Sequence, residues 1–416
     1  MNQPSVRFPL KDINNCNWEK IKIGDLGTFI RGQTFQRDDV TGIESDVLIV
    51  RSSNLIDGWY VDISDDVQYV SIDVPDQERL KKNDVVICTA NGSTSLVGKA
   101  SIYDGSYNGS ISWGAFCSVF RPKVELAKYL FNTYYYKKII TIHKQGGNGA
   151  LANLNVKNIS SEEIVFPVSK EEQEKIAQFF SLIDRKICTA QVVIDKFENI
   201  RKTISEKIYD GEISLKKVDG KPFPKWQTKR LDKLLKFQNG INASKEKFGS
   251  GIKLISVREV LLDEPIRYDL IESSISVNEK EAERFSVEYG DILFQRSSET
   301  AEEAGSTNVY LDARPAVFGG FVIRGKKKSD YHPQFLKMAL RSSKVRRQIM
   351  RLAQGAQHIN IGQEQLSSIE VRIPCIEEQE KIAELISTLE EKQRINIEKL
   401  GALKSLKQAF MQRMFL

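Results

Sequence analysis

The heptapeptide EEQEKIA stands at residues 171–177 and again at residues 377–383, an offset of 206 in a chain of 416. Other landmarks recur at nearly the same spacing. Trp18 and Trp226 each open a stretch that ends in Phe-x-x-Gly, at residues 29–32 and 237–240. Asp84 followed by VVI matches Asp291 followed by ILF, and residues 98–103 match 305–310. Blocks in the same order at a steady offset mean two copies of one unit, each a globular part followed by a helix.

Downstream of the first heptapeptide the apolar residues are Ile176, Phe180, Ile183, Ile187, Ala190, Ile194, Phe197, Ile204 and Ile208. The steps alternate four and three, with Arg201 in the one polar slot. Such a seam, held for about five heptads, predicts a coiled-coil helix rather than an ordinary surface helix. Ser169 with Glu172 forms a capping box at its start, and Gly211 suits its end. At ~1.5 Å per residue the rod is roughly 58 Å long. After Pro374 a second seam reads Ile382, Ile386, Leu389, Leu400, Leu403, Phe410 and Met414, interrupted by Gln393, Asn396 and Lys407. Polar seam residues commonly fix register at some cost in stability. The chain leaves along one helix and returns along the other, so antiparallel pairing follows. The expected fold is α+β: two pseudo-two-fold-related globular domains separated by two long helices that form an antiparallel coiled coil. The expected divisions are a first domain at 1–168, a helix at 169–210, a linker and second domain at 211–374, and a helix at 375–416.

Within the first domain, strands are expected at 47–50, 67–70, 84–89 and 113–121, and a helix at 126–144. The second repeats the order, with strands at 253–257, 291–295 and 317–323 and a helix at 333–352. A glycine-rich loop follows each of these helices, at 146–149 and 354–360.

Composition narrows the class. Hydrophobic content of 41% is ordinary for a chain with real cores, and no apolar run approaches a membrane span. The opening MNQPSVRFPL holds no apolar stretch, so no secretion signal is expected. Five scattered cysteines without a Cys-x-x-Cys pair, and three histidines, make a structural zinc site unexpected and the cytoplasm the expected compartment. Net charge is only +6, but its distribution is uneven. Residues 324–351 hold ten Lys or Arg against Asp330, and 121–145 hold six against Glu125. Basic clusters at equivalent places in both copies read as footprints for a polyanion.

There is no P-loop, no dinucleotide fingerprint, no G-x-S-x-G, no H-E-x-x-H and no Asn-Pro-Pro-Tyr or Asp-Pro-Pro-Tyr. No self-contained active site is expected. A DNA reader needs cations for phosphates and forked or amide side chains for base edges. Candidates around the first helix and loop are Lys137, Lys138, Lys144, Gln145, Asn148 and Asn153. The second copy offers Arg346, Arg347, Arg351, Gln354, Gln357, His358 and Asn360. Strand exits add Arg51, Ser53, Asn54, Asn91, Arg258 and Arg296.

Pro167 before the first E-E-Q and Pro374 before the second, on a duplicated domain-plus-helix plan, resemble the specificity (S) subunit of type I restriction–modification enzymes. The opening of the first domain, Trp18 through Gly24, Asp25 and Leu26, is similar to the start of that family's target-recognition domain; Trp226 onward is looser and lacks the Gly-Asp pair. The resemblance implies that each domain reads one half of a split double-stranded DNA target while the helices set the gap. It implies two modification (methyltransferase) subunits docked on the helical regions, with restriction subunits carrying motor and nuclease beside them. The chain itself would be non-catalytic and need no cofactor; S-adenosylmethionine, ATP and Mg would belong to the partners. Two other classes stay open at this point: a stand-alone DNA-modifying enzyme or nuclease, and a coiled-coil scaffold that binds only proteins.

Overall fold

The computed structural model describes residues 17–146, 151–242, 244–355 and 358–415. The chain divides into two compact units, Met1–Ala190 with Lys399–Leu416, and Gln191–Glu398. Each unit therefore takes a globular domain, part of one long helix and part of the other. The long helices run Lys170–Asp210 and Ile376–Met414.

In the first unit a four-stranded antiparallel sheet has the order Gly27–Arg31, Cys117–Pro122, Val85–Cys88, Ala100–Ile102. Strand Val85–Cys88 is buried throughout, as its unbroken apolar run requires. A second sheet joins Val47–Val50 to Gln68–Val70 and, in parallel, to Ile111–Trp113. Trp18–Lys22 pairs with Glu163–Pro167, which ties the start of the domain to the chain just before the long helix.

The second unit repeats this plan. Its four-stranded sheet is Leu235–Asn239, Val322–Lys327, Ile292–Gln295, Thr307–Val309. Phe248–Ile255 pairs in parallel with Val317–Phe318, and Gln227–Arg230 pairs with Glu370–Ile373.

The heptapeptide acts as a clasp in both units. Its second glutamate accepts the indole N–H of the tryptophan that opens the domain, at 3.1 Å for Trp18 on Glu172 and 3.1 Å for Trp226 on Glu378. Its glutamine turns back to the preceding proline carbonyl, Gln173 to Pro167 at 2.7 Å and Gln379 to Pro374 at 2.9 Å. Burial raises the Glu378 carboxyl above its usual range, and the indole donor partly offsets that.

Each unit's core takes in both helices, running in opposite directions. Phe180 is fully buried and packs on Tyr129, while Phe179 meets Phe410 edge-on at 5.0 Å. In the second unit Ile204 and Ile208 join one core with Ile382 and Ile386. Burying each such side chain contributes ~1.5–3 kcal/mol. The two cationic seam slots are answered by acids. Lys407 pairs with Asp184 in the first unit and Arg201 with Glu390 in the second, at 2.7 and 3.8 Å. Arg201 and Lys407 are 206 residues apart, and so are Asp184 and Glu390.

Four expected elements are broken. The helix expected at 126–144 is a 3-10 stretch, Glu125–Asn132, followed by an α-helix, Tyr134–His143. Thr133 is extended between them, and its hydroxyl caps the second helix by accepting from the Tyr136 amide. The helix expected at 333–352 breaks likewise at Ser342, into Pro333–Arg341 and Ser343–Leu352. The strand expected at 113–121 is two strands, because Gly114, Ala115 and Phe116 turn the chain between Ile111–Trp113 and Cys117–Pro122. Gly319, Gly320 and Phe321 do the same in the second unit, between Val317–Phe318 and Val322–Lys327.

Candidate nucleic-acid interface

In the first unit the chain leaves the buried strand Val85–Cys88 at Thr89. The amides of Thr89 and Ala90 both donate to the Phe116 carbonyl, at 2.8 and 3.0 Å. Strand Ala90–Asn91 then pairs with Ala152–Leu154, which pairs with Lys144–Gln145. Gln145 and Asn153 are direct register partners, and both are exposed. Asn91 donates to the Ser52 hydroxyl at 3.0 Å, linking this small sheet to the turn that carries Arg51, Ser53 and Asn54. Candidates scattered over a hundred residues of sequence thus form one connected edge. A cleft of about 970 Å³ opens beside it, lined by Gln145, Leu151, Asn153, Thr89 and Phe116.

The second unit builds the same edge. The Arg296 amide donates to the Phe321 carbonyl at 2.8 Å, and the Ile361 amide to the Arg296 carbonyl at 3.0 Å. Ser297–Ser298 pairs with Ile359–Asn360, and Asn360 exchanges two backbone hydrogen bonds with Gln354. The Ser297 hydroxyl donates to the Asn360 side chain. Gln354, His358 and Asn360 are exposed. Helix Ser343–Leu352 leads straight into this edge and presents Arg347 and Arg351 to solvent. Helix Tyr134–His143 does so in the first unit with Lys137 and Lys138.

Several candidates are taken up by the fold. Asn54 is 1% exposed; its side chain accepts from the Arg51 amide at 2.9 Å and donates to the Asp65 and Asp66 carbonyls. It holds the turn and cannot reach a base. Arg346 donates to the carbonyls of Glu302 and Ala304 at 2.7 and 2.9 Å. Burial lowers the affinity of its guanidinium for the proton. Arg51 pairs with Asp66 at 2.6 Å, Arg258 with Glu272, and Lys137 with Asp57 at 3.3 Å. Lys144 donates to the Thr94 carbonyl at 3.0 Å, and Arg296 reaches the Gly320 carbonyl at 3.4 Å. Asn148 and Gln357 lie outside the described residues.

The basic run at 324–351 is also reduced. Arg324 is buried against Asp291 at 2.7 Å, as Arg121 is paired with Asp84 at 2.7 Å in the first unit. Lys326, Lys337 and Lys344 pair with Glu288, Glu390 and Asp210 at 2.8, 3.4 and 2.7 Å. A local count along the chain misses acids that arrive from elsewhere. It also misses Arg31 and Lys157, which line the cleft of the first unit together with Lys123.

Among the described residues no group of His, Cys, Asp and Glu is arranged to hold a metal ion, and no helix is long and apolar enough to cross a membrane. The described edges offer amides, hydroxyls and guanidinium groups: donors and acceptors for recognition.

Residues 15–196 and 224–408 match the family model for the type I restriction modification DNA specificity domain. The EcoKI specificity subunit of the type I restriction enzyme from Escherichia coli (strain K12) is 24% identical over 394 residues, which span 89% of this chain and 82% of that protein. The StySPI specificity subunit from Salmonella potsdam is 24% identical over 302 residues, 69% of this chain and 63% of that one. The fold is shared with the crystal structure of the S subunit of a type I restriction–modification system from M. genitalium. Its TM-score is 0.57 at 14% identity, covering 100% of this chain and 99% of that one. A chain from a structural study of assembly and conformational transition in the type I system gives a TM-score of 0.54 at 14% identity, over 97% and 98%. Two matched domains spanning most of the sequence, on a fold shared end to end, place this chain in the type I restriction–modification DNA specificity family.

Proposed function

We propose that this chain reads a split duplex target, one half-site per unit, and that its long helices set the distance between the halves. The observation that carries the reading is the duplicated edge: Gln145 beside Asn153 in one unit, Gln354 beside Asn360 in the other. Amide side chains can bond bidentately to adenine in the major groove, and exposed guanidinium groups such as Arg347 and Arg351 suit phosphate or guanine. One edge per unit suits two short recognition elements better than one continuous site.

The methylation and cleavage chemistry belongs to partners in this reading. Two modification subunits dock on the helical regions, and restriction subunits join that complex. Ile200 and Leu406 support the docking. They are 206 residues apart, occupy the same place in the two helix copies, and are 45% and 46% exposed. Apolar side chains repeated on the outside of a coiled coil favour a second protein surface. S-adenosylmethionine, ATP and magnesium are then held by those partners, and the assembly works in the cytoplasm.

The test is long-read methylation profiling of cells that express the chain with its modification subunits. The expected result is one bipartite motif, two short specified segments around an unspecified gap, which disappears when this gene is deleted. A single continuous motif would overturn the proposal, as would a motif that persists without the gene.

A further inference from the structure

Phe116 and Phe321 are 61% and 69% exposed, unusual for phenyl rings in a chain with well-filled cores. They lie 205 residues apart and stand at the same place in the two copies of the fold. Each ends the short turn that splits an expected strand. The backbone of each is pinned, through its carbonyl, by the amides of Thr89 and Ala90 for Phe116 and by the amide of Arg296 for Phe321. These are the residues that begin the candidate reading edge.

The turn is buttressed alike in both units. A methyl group on Gly32 would overlap the Gly114 carbonyl, and one on Gly240 would overlap the Gly319 carbonyl. Only glycine lets the neighbouring chain lie so close, which accounts for the Phe-x-x-Gly landmark in each copy. An exposed aromatic on a rigid turn surrenders little freedom on binding.

We propose that Phe116 and Phe321 are apolar probes, one per unit, each pressed against a base pair of its own half-site. Resting on the proposed function above, this adds an apolar contact that polar readout lacks. A ring beside amide readers can pack on a thymine methyl or enter a base step, and neither contact depends on charge. Phosphate contacts give a salt-dependent affinity without sequence information; a ring contributes the reverse.

The experiment uses the complex with modification subunits and a cognate duplex taken from its methylation motif. F116A is expected to weaken binding on the order of tenfold, the scale of one mismatched base pair. It is expected to relax base identity at one half-site only, with the slope of affinity against salt unchanged. F321A is expected to do the same at the other half-site. F116L, which keeps apolar bulk, is expected to retain most of the affinity, and equal melting curves show that the variants are folded. Wild-type affinity and specificity in both alanine variants would overturn the inference while leaving the proposed function standing, and so would relaxation of both half-sites by either variant. Failure of the wild-type complex to prefer its motif would instead strike the proposed function.

Discussion

Lys407 Nζ lies 2.7 Å from Asp184 Oδ1, with side chains only 7% and 2% exposed. Asp184 also accepts from the hydroxyls of Tyr129 and Tyr60, at 3.1 and 3.3 Å, and the ammonium sits 5.0 Å from the Trp59 ring. Burial lowers the Lys407 pKa, and Asp184 opposes that fall. One charge from each long helix is thus locked into the first domain. Removing either partner leaves the other buried and uncompensated, at a cost of ~3–5 kcal/mol. D184A is expected to destabilise the first unit by about 3 kcal/mol, and the apolar double variant D184L/K407M to recover most of it. Urea unfolding followed by tryptophan fluorescence measures both. Destabilisations that simply add in the double variant would contradict the coupling.

Lys337 gives a pH-dependent signature in the second unit. It donates to the Asp263 carbonyl at 2.6 Å, and Glu390, Arg201 and Arg341 surround it. Burial brings its pKa down to about 8, against the pull of Glu390. A lysine depressed on folding binds fewer protons in the native state, so its contribution to stability rises with pH between about 8 and 10.5. Below that window its ammonium is buried at a constant penalty of up to ~3 kcal/mol. The stability of K337M relative to wild type should therefore fall as pH rises through the window. A difference that stays level across it would contradict the assignment.

The salt dependence of DNA binding separates solvent-facing cations from those held by the fold. Arg347 and Arg351 are exposed, whereas Arg346 is tied to two carbonyls. Taking one cation away from a DNA phosphate reduces the salt slope by ~0.9. R347A/R351A in the assembled complex is expected to lower affinity and flatten the slope by about two. R346A is expected to leave the slope alone and to cost ~1–3 kcal/mol of stability, because it strands the Glu302 and Ala304 carbonyls. Equal slopes for R346A and R347A/R351A would remove the helix Ser343–Leu352 from the footprint.

Duplication, both seams and the helix starts are legible in the sequence, because each is a matter of spacing along the chain. The clasp is not. Nothing in spacing says that Glu172 and Glu378 reach tryptophans some 150 residues away. Polar seam slots are visible as interruptions, but their answer, Asp184 for Lys407 and Glu390 for Arg201, comes from the other helix. The basic run misleads for the same reason, since Asp291, Glu288 and Asp210 neutralise it from afar. Thr133 and Ser342 break two helices at sites where a hydroxyl turns to a nearby carbonyl, Leu130 and Ala339. Gly114 and the pair Gly319 and Gly320 mark a turn inside an apolar run, and reading them as breaks would have exposed the two phenylalanines.

The separation of the half-sites tests the central claim most directly. Seven residues inserted at matching points in both long helices preserve the seam and add ~10 Å, close to three base pairs of duplex. Methylation profiling of cells carrying this variant with its modification subunits is predicted to show the same two half-site sequences, with a gap longer by about three base pairs. An unchanged gap, or half-sites of altered sequence, would contradict an account in which the helices set the distance and the two units do the reading.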